Sequence, residues 1–191
     1  SVAQILILSN QYPIMTLPDA KVASDWQGKG DEFFDNRDFE GALRCYDRIL
    51  EMFPRDPDIW SRKGLALTKL KRYDEAIECY DTALARYPKE IYLWKNKGAA
   101  LNKMDKHIEA VRCFDTAIDL DPNDASAWCH KAISFGLLKW HEESLDCFET
   151  AISIDPQNAV AWYGKGMVLR KLGREKEARS AMLKAENFGF S

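Results

Sequence analysis

Residues 57–90 read PDIWSRKGLALTKLKRYDEAIECYDTALARYPKE, and residues 91–124 read IYLWKNKGAALNKMDKHIEAVRCFDTAIDLDPND. Counted from the first residue of each stretch, both carry tryptophan at position 4, lysine at 7, glycine at 8, alanine at 20, cysteine at 23, an aromatic residue at 24 and proline at 32. A fixed period of this length is typical of a repeat array, in which each unit packs on the next.

The same period runs through the sequence from residue 23 to residue 191. Five of the six tryptophans keep it without a slip: Trp26, Trp60, Trp94, Trp128 and Trp162. Four of the five cysteines also keep it: Cys45, Cys79, Cys113 and Cys147. The chain therefore divides into a leader, 1–22, and five units, 23–56, 57–90, 91–124, 125–158 and 159–191.

Each unit has the apolar spacing of two amphipathic helices, since its small and aromatic residues recur at i, i+4 and i+7. We name the first helix of a unit A and the second B. The spacing predicts A helices near 24–36, 57–70, 91–104, 125–138 and 159–172. It predicts B helices near 40–52, 74–86, 108–120, 142–154 and 175–187. Asp56, Asn123-Asp124 and Asn158 stand where helix N-caps are expected.

With these motifs, the chain resembles the tetratricopeptide repeat (TPR) family over about 169 of its 191 residues. The resemblance rests on the pattern Trp–x3–Gly–x2–apolar, then Ala–x3–aromatic–x2–Ala and a closing Pro, repeated in register. It implies an all-α fold, a right-handed superhelical solenoid of stacked antiparallel helix pairs. The motif W-x-x-K-G within the units is similar to that in repeats of archaeal, methanogen-type proteins, which suggests an archaeal source.

The recurring residues have a structural interpretation. Glycine and alanine let paired helices approach closely, and each lysine three residues after a tryptophan can lay its methylene stem along the indole. Equivalent cysteines in successive repeats are too far apart for a disulfide, and the spacing of a zinc site is missing. We interpret them as small buried residues in a reducing compartment, and expect a cytoplasmic protein.

Composition and motifs argue against several functions. The net charge is −3 and the pI about 5.7, so a nucleic-acid surface is not expected. No apolar run approaches the roughly 18 residues of a membrane span. Without a nucleophile–base–acid set, a HExxH motif or a phosphate loop, we expect no enzyme, cofactor or metal site. His107 and His141 are interpreted as replacements for an aromatic residue at the start of a B helix.

The two ends depart from the repeat. Residues 1–22 are interpreted as a flexible leader or a remnant of expression; the alternatives are an extra helix on the first repeat, a strand in a groove, or a contact that makes a dimer. In the fifth unit, Arg179 and Glu186 replace residues that are apolar in the other units. We expect such polar replacements to cap the array there.

The resemblance implies that the A helices line a concave groove, which we expect to bind a peptide with apolar anchors and acidic flanks. The candidate groove residues are Arg62, Leu65, Lys69, Tyr92, Lys95, Asn96, Asn102, Lys103, His130, Ile133, Tyr163, Met167 and Arg170. Asn96 and Asn102 are predicted to contact the peptide backbone. The Lys/Asn clamp with which some relatives hold chaperone carboxylates is not expected, because Ala99 and Gly164 occupy two of its positions.

The leading hypothesis is therefore a non-enzymatic scaffold for a protein or peptide partner. The alternative is a self-assembling structural protein that forms a homo-oligomer through residues 1–22 or through the groove. RNA binding in a helical-repeat groove is a third, disfavoured by the acidic pI. Trp140 and Cys129 lie outside the repeating positions, Trp140 in an A–B turn and Cys129 at a groove-facing position.

Overall fold

The computed structural model describes the backbone of residues 17–190 and the side chains of residues 21–190. This part of the chain forms ten α-helices. The A helices are α1 (Leu17–Asp35), α3 (Pro57–Lys69), α5 (Ile91–Lys103), α7 (Ala125–Leu137) and α9 (Ala159–Lys171). The B helices are α2 (Phe39–Met52), α4 (Tyr73–Leu84), α6 (His107–Leu120), α8 (His141–Ile154) and α10 (Glu175–Asn187).

Each A helix packs against the B helix of its own repeat, and each B helix against the A helix that follows. Consecutive A helices also touch from α3 to α9. The predicted all-α solenoid of stacked helix pairs is thereby confirmed. Among the described residues, no helix combines the length and the hydropathy that crossing a bilayer requires.

Helix boundaries agree with the prediction to within two residues except at the start of α1. That helix begins at Leu17, seven residues before the predicted start at 24. Pro18 does not prevent this, because proline is tolerated in the first turn of a helix, where its missing N–H would have no partner. The rest of the predicted leader, with its apolar stretch Val2–Leu8, lies outside the described residues. The predicted N-caps are confirmed for Asp56, Asp124 and Asn158, whose side chains accept backbone N–H groups.

The two helices of a repeat approach closely between glycine at position 8 and the aromatic residue at position 24. A β-carbon placed on Gly64 would lie 2.6 Å from the Tyr80 ring, and one on Gly98 would lie 2.6 Å from the Phe114 ring. Gly30 has the same relation to Tyr46. The rings lie directly against the A-helix backbone, which is why these positions need glycine.

Hydrogen bonds of the indoles join each repeat to the one before it. The Nε1–H of each tryptophan from the second repeat onward donates to a proline carbonyl six residues earlier, at 2.8–3.0 Å. The pairs are Trp60–Pro54, Trp94–Pro88, Trp128–Pro122 and Trp162–Pro156. Each tryptophan and the proline of the preceding repeat thus form one contact between repeats, and we call such a contact a joint.

The lysines at position 7 form a second joint. From the second repeat onward, each ammonium lies 5.2–5.8 Å from the centroid of its neighbouring indole. It also pairs with the carboxylate at position 25 of the preceding repeat. These pairs are Lys63–Asp47, Lys97–Asp81, Lys131–Asp115 and Lys165–Glu149. These ion pairs between repeats were not predicted from the sequence.

The cysteines at position 23 are 2–5% exposed and belong to the core, as predicted. Burial raises the pKa of the Cys79, Cys113 and Cys147 thiols to about 11. All five cysteines are free. They act as small apolar residues and stay protonated near neutral pH.

Candidate binding groove

The thirteen candidate residues lie on the A helices α3, α5, α7 and α9, which stand side by side. Their arrangement divides in two. In the first half, around α3 and α5, polar side chains bond from one A helix to the next. In the second half, between α7 and α9, the facing residues are apolar.

Hydrogen bonds between neighbouring repeats use several of the predicted polar residues. Tyr92 Oη donates to Asp58 at 2.6 Å. Asn96 Nδ2 donates to Ser61 Oγ at 3.0 Å, and Ser61 is only 4% exposed. These side chains therefore fix the spacing of α3 and α5.

Asn102 has both amide atoms engaged. Its Nδ2 donates to Ser134 Oγ at 2.8 Å, and its Oδ1 lies 3.0 Å from Nδ1 of His107. Bidentate contact with a peptide backbone, which the sequence suggested for this residue, would have to displace both bonds. His107 fills the start of its B helix and bonds to the neighbouring A helix.

Two of the predicted basic residues are paired. Lys95 Nζ lies 2.6 Å from Oδ2 of Asp124, and the two side chains are 23% and 16% exposed. Burial by itself would raise the pKa of the Asp124 carboxyl. The hydrogen bonds that it accepts from Lys95 and from the N–H of Ala127 outweigh this effect, so the net pKa lies below the ordinary value. Arg62 donates to Asp31 at 2.6 Å.

Other predicted side chains of the groove are open to solvent. Lys69, Lys103 and Arg170 are exposed near the carboxyl ends of α3, α5 and α9. Arg170 Nη2 lies 3.2 Å from Sδ of Met167. A positive charge therefore borders the apolar half of the groove.

His130 is held within its own helix. Its Nδ1 lies 2.7 Å from the carbonyl oxygen of Ser126, and its ring lies 5.4 Å from that of Phe114. Leu65, another candidate groove residue, lines a separate cavity of about 240 Å³ beside Asp31 and Arg62.

The apolar half contains a cavity of about 410 Å³ between α7 and α9. Three predicted residues, Ile133, Tyr163 and Met167, meet in its wall. The other residues of the wall are Ala132, Gly136, Leu137, Ser144, Phe148, Val160, Gly164, Val168 and Phe190. Ile133 is 42%, Val160 50% and Leu137 49% exposed. Large apolar side chains left this open to water are typical of an interaction surface.

The cavity has a local cause in the fourth repeat. Ala132 occupies position 8, where the other repeats have glycine, so the aromatic ring of that repeat cannot lie against it. The Phe148 ring instead contacts the backbone of Gly164 in the next repeat, where a β-carbon would overlap it. Sequence reasoning missed Phe148 and Gly164, although both departures from the repeat, Ala132 and Gly164, are visible in the sequence.

Phe190 was also missed. Its ring lies on that of Tyr163 with centroids 4.1 Å apart and planes inclined by 17°. Phe190 follows α10, and its side chain forms part of the cavity wall. It occupies position 32, where the other four repeats have proline, so this departure too is visible in the sequence.

The two residues outside the repeat pattern have structural roles. Cys129 is 4% exposed and part of the core between α7 and α8, so its predicted groove-facing position is wrong. Burial raises the pKa of its thiol to about 12. Trp140 is 46% exposed and stacks on Phe135 with centroids 5.7 Å apart.

Comparison with known proteins agrees with this architecture. Four family models, each described as tetratricopeptide repeat, match residues 28–91, 91–124, 125–158 and 147–180. No curated protein sequence matches the chain.

Solved structures of similar fold include a crystal structure of MamA, with a TM-score of 0.71 and 21% identity over 88% of this chain and 92% of that one. A second is MamA, residue 41 to the end, from Desulfovibrio magneticus RS-1, with a TM-score of 0.74 and 20% identity over 87% of this chain and 94% of that one. At these identities the likeness concerns the fold alone.

Proposed function

Since the chain belongs to the tetratricopeptide repeat family, we propose that it is a non-enzymatic protein-interaction module whose groove holds a peptide segment. The observation that carries this proposal is the apolar cavity between α7 and α9. An extended or helical peptide would place an apolar side chain there and run its backbone along the A helices.

The charges beside the cavity support a peptide with acidic flanks. Arg170 borders Met167 in the cavity wall, and Lys171 follows it as a second exposed cation. Lys103 is exposed at the end of α5. Exposed cations of this kind attract acidic residues and raise the rate of association more than the affinity.

A pair of matched variants tests the cavity. Ile133→Asp places a carboxylate in the cavity wall, and Ile108→Asp places one on α6 at a residue of nearly the same exposure, 43% against 42%. Fluorescence anisotropy with a library of acidic-apolar peptides should give wild-type affinity for Ile108→Asp. For Ile133→Asp we expect at least about a tenfold loss, since the anchor loses apolar contact and the flanks are repelled. Equal affinity of the two variants would exclude this cavity as the anchor site.

Self-assembly through residues 1–22 or through the groove is the competing function. Light scattering over a series of protein concentrations, with and without residues 1–22, separates the two. We expect the number of chains per particle, which is the measured molar mass divided by the mass of one chain, to be unaffected by removing these residues. A number of chains per particle that falls on their removal, together with no peptide binding, would favour the structural role.

The cellular compartment is part of the same proposal. Five free, buried cysteines suit a reducing environment such as the cytoplasm. In such a compartment the protein would bind its peptide partner with its cysteine thiols reduced.

A further inference from the structure

The segment that follows α10 is turned back by a specific helix ending. The N–H of Phe190 bonds to the carbonyl of Ala185 at 3.0 Å, and the N–H of Gly189 bonds to that of Glu186 at 3.0 Å. Gly189 has φ +90°, a left-handed conformation that favours glycine. These two bonds and the left-handed residue make a Schellman motif, which fixes the direction of the next residue.

The same motif ends α7, but the aromatic residue after it packs differently. There Trp140 stacks on Phe135 in the last turn of α7, the kind of hydrophobic contact that commonly accompanies the motif. At the end of α10 the corresponding residue is Ala185, which offers no ring. Phe190 reaches instead to Tyr163 on α9, inside the groove.

The cavity wall suits a planar ring. Tyr163 presents one face to Phe190 at 4.1 Å between centroids, and Met167 contributes a thioether beside it. Stacked rings and sulfur–aromatic contacts favour an aromatic side chain over an aliphatic one of similar size. The stack of Phe190 on Tyr163 therefore shows which kind of side chain this part of the wall binds.

We propose that the Tyr163 face of this cavity is a subsite for an aromatic side chain, and that Phe190 covers this face in the free protein, so that an aromatic residue of the partner must displace it. The inference rests on the proposed peptide-binding function and specifies its anchor. The stacked Phe190 ring reduces the apparent affinity to the fraction of time for which the Tyr163 face is uncovered. If that fraction is about one tenth, removing the ring raises the apparent affinity about tenfold.

Three variants separate the ring from its position. Phe190→Ala removes the ring, and Gly189→Ala keeps the ring but opposes the left-handed turn that directs it. Phe188→Ala is the matched control, because Phe188 is 41% exposed and forms no part of the cavity wall. Thermal denaturation confirms that each variant is folded before binding is measured.

The probe is a fluorescein-labelled peptide with one Phe flanked on both sides by Asp and Glu, compared with the same peptide carrying Leu or Ala in place of Phe. We expect Phe190→Ala and Gly189→Ala to bind the Phe peptide about tenfold more tightly than wild type, and Phe188→Ala to bind it as wild type does. The Leu and Ala peptides should bind more weakly than the Phe peptide to every variant.

The position of the ring is read separately by NMR of the Tyr163 ring protons, which a ring stacked at 4.1 Å shifts upfield. We expect Phe190→Ala to change this shift, and the Phe peptide to change it in wild type. Equal affinity of wild type and Phe190→Ala, with peptide binding still sensitive to Ile133→Asp, would overturn the displacement and leave the proposed function standing. Failure of the Phe peptide to bind either protein would overturn the aromatic subsite, whereas failure of the whole library would overturn the proposed function as well.

Discussion

A single methyl group distinguishes the packing of the fourth repeat from that of its neighbours. Ala132 lies where the other repeats have glycine. The Phe148 ring lies against the backbone of Gly164 in the next repeat, whereas the equivalent rings Tyr46, Tyr80 and Phe114 lie against their own A helices. The pair Ala132 and Gly164 is thus a coupled change, since the first displaces the ring and the second receives it. The apolar cavity lies beside the displaced ring.

This coupling predicts opposite effects for two glycines of the cavity wall. Gly164→Ala should lower the free energy of unfolding by about 1–2 kcal/mol, because the new methyl group overlaps the Phe148 ring and overpacking outweighs the gain in helix propensity. Gly136→Ala should raise it by up to about 1 kcal/mol, since a β-carbon there lies 3.6 Å from Ser144 Oγ, an ordinary contact. Urea denaturation measures both. A stabilising Gly164→Ala would contradict the described position of the ring.

At the scale of the element, the A helices share one way of ending. Each ends in a Schellman motif whose left-handed residue occupies position 15 of the repeat. These residues are Arg37, Lys71, Asp105, Lys139 and Gly173, with φ between 58° and 76°. Only the fifth has the residue that this conformation favours, so the other four turns are strained.

Replacing one of these residues with glycine should relieve the strain. Lys71→Gly is expected to raise the free energy of unfolding by about 0.5–1 kcal/mol, because the cost of a left-handed side chain exceeds the extra backbone entropy of glycine. Gly173→Ala should lower it by about 1 kcal/mol. Chemical denaturation tests both changes. Arg44→Gly, in the middle of α2, serves as the control and should lower stability by about 1 kcal/mol; a similar loss with Lys71→Gly would refute the argument.

At the scale of the whole molecule, stability depends on joints between repeats. An array in which each unit touches only its neighbours behaves approximately as a one-dimensional chain of coupled units. Asp124 contributes to one such joint, since it caps α7 and pairs with Lys95 of α5. Weakening this pair should uncouple the last two repeats from the first three.

The lowered pKa of Asp124 sets the direction of the pH dependence. Because its folded pKa lies below the ordinary 3.8, the contribution of the pair is fully present above that value and is lost as the pH falls through the folded pKa. Asp124→Asn keeps the cap but not the charge. We expect it to be less stable than wild type near neutral pH and to approach wild type in acid, as measured by denaturation at a series of pH values.

Lys95→Gln should reproduce the effect from the other side of the joint. Combined with Asp124→Asn it should add little, since both changes break the same ion pair. Strictly additive losses would show that the two residues act independently. Hydrogen exchange should find α7–α10 opening more readily in either variant than in wild type.

Sequence periodicity sufficed for the fold because the indole–proline and lysine–carboxylate joints use residues at repeating positions. Trp94, Pro88 and Lys97 each have counterparts in other repeats, and their packing follows from the period. The groove was predictable in part: Ile133, Tyr163 and Met167 face it as their helical positions require. Periodicity gives the face on which a side chain lies, but not its partner.

The remaining features of the groove depend on residues that break the period. Asn102 bonds to Ser134 across 32 residues, and no other repeat has this pair of residues at these positions. The contact of Phe148 with Gly164 and the stack of Phe190 on Tyr163 likewise have no equivalents among the contacts described for the other repeats. Their contacts depend on packing in three dimensions, which one sequence does not contain as a pattern.

The indole–proline and lysine–carboxylate joints make the units interchangeable building blocks. A second copy of residues 91–124 inserted after residue 124 would bring its own tryptophan to Pro122 and its own lysine to Asp115, while its proline and aspartate would serve Trp128 and Lys131. Both joints would therefore form at both ends of the insert. Such an insertion would lengthen the groove by one unit. It would not create a second apolar cavity, since Ala132 and Gly164 are not part of the copied segment.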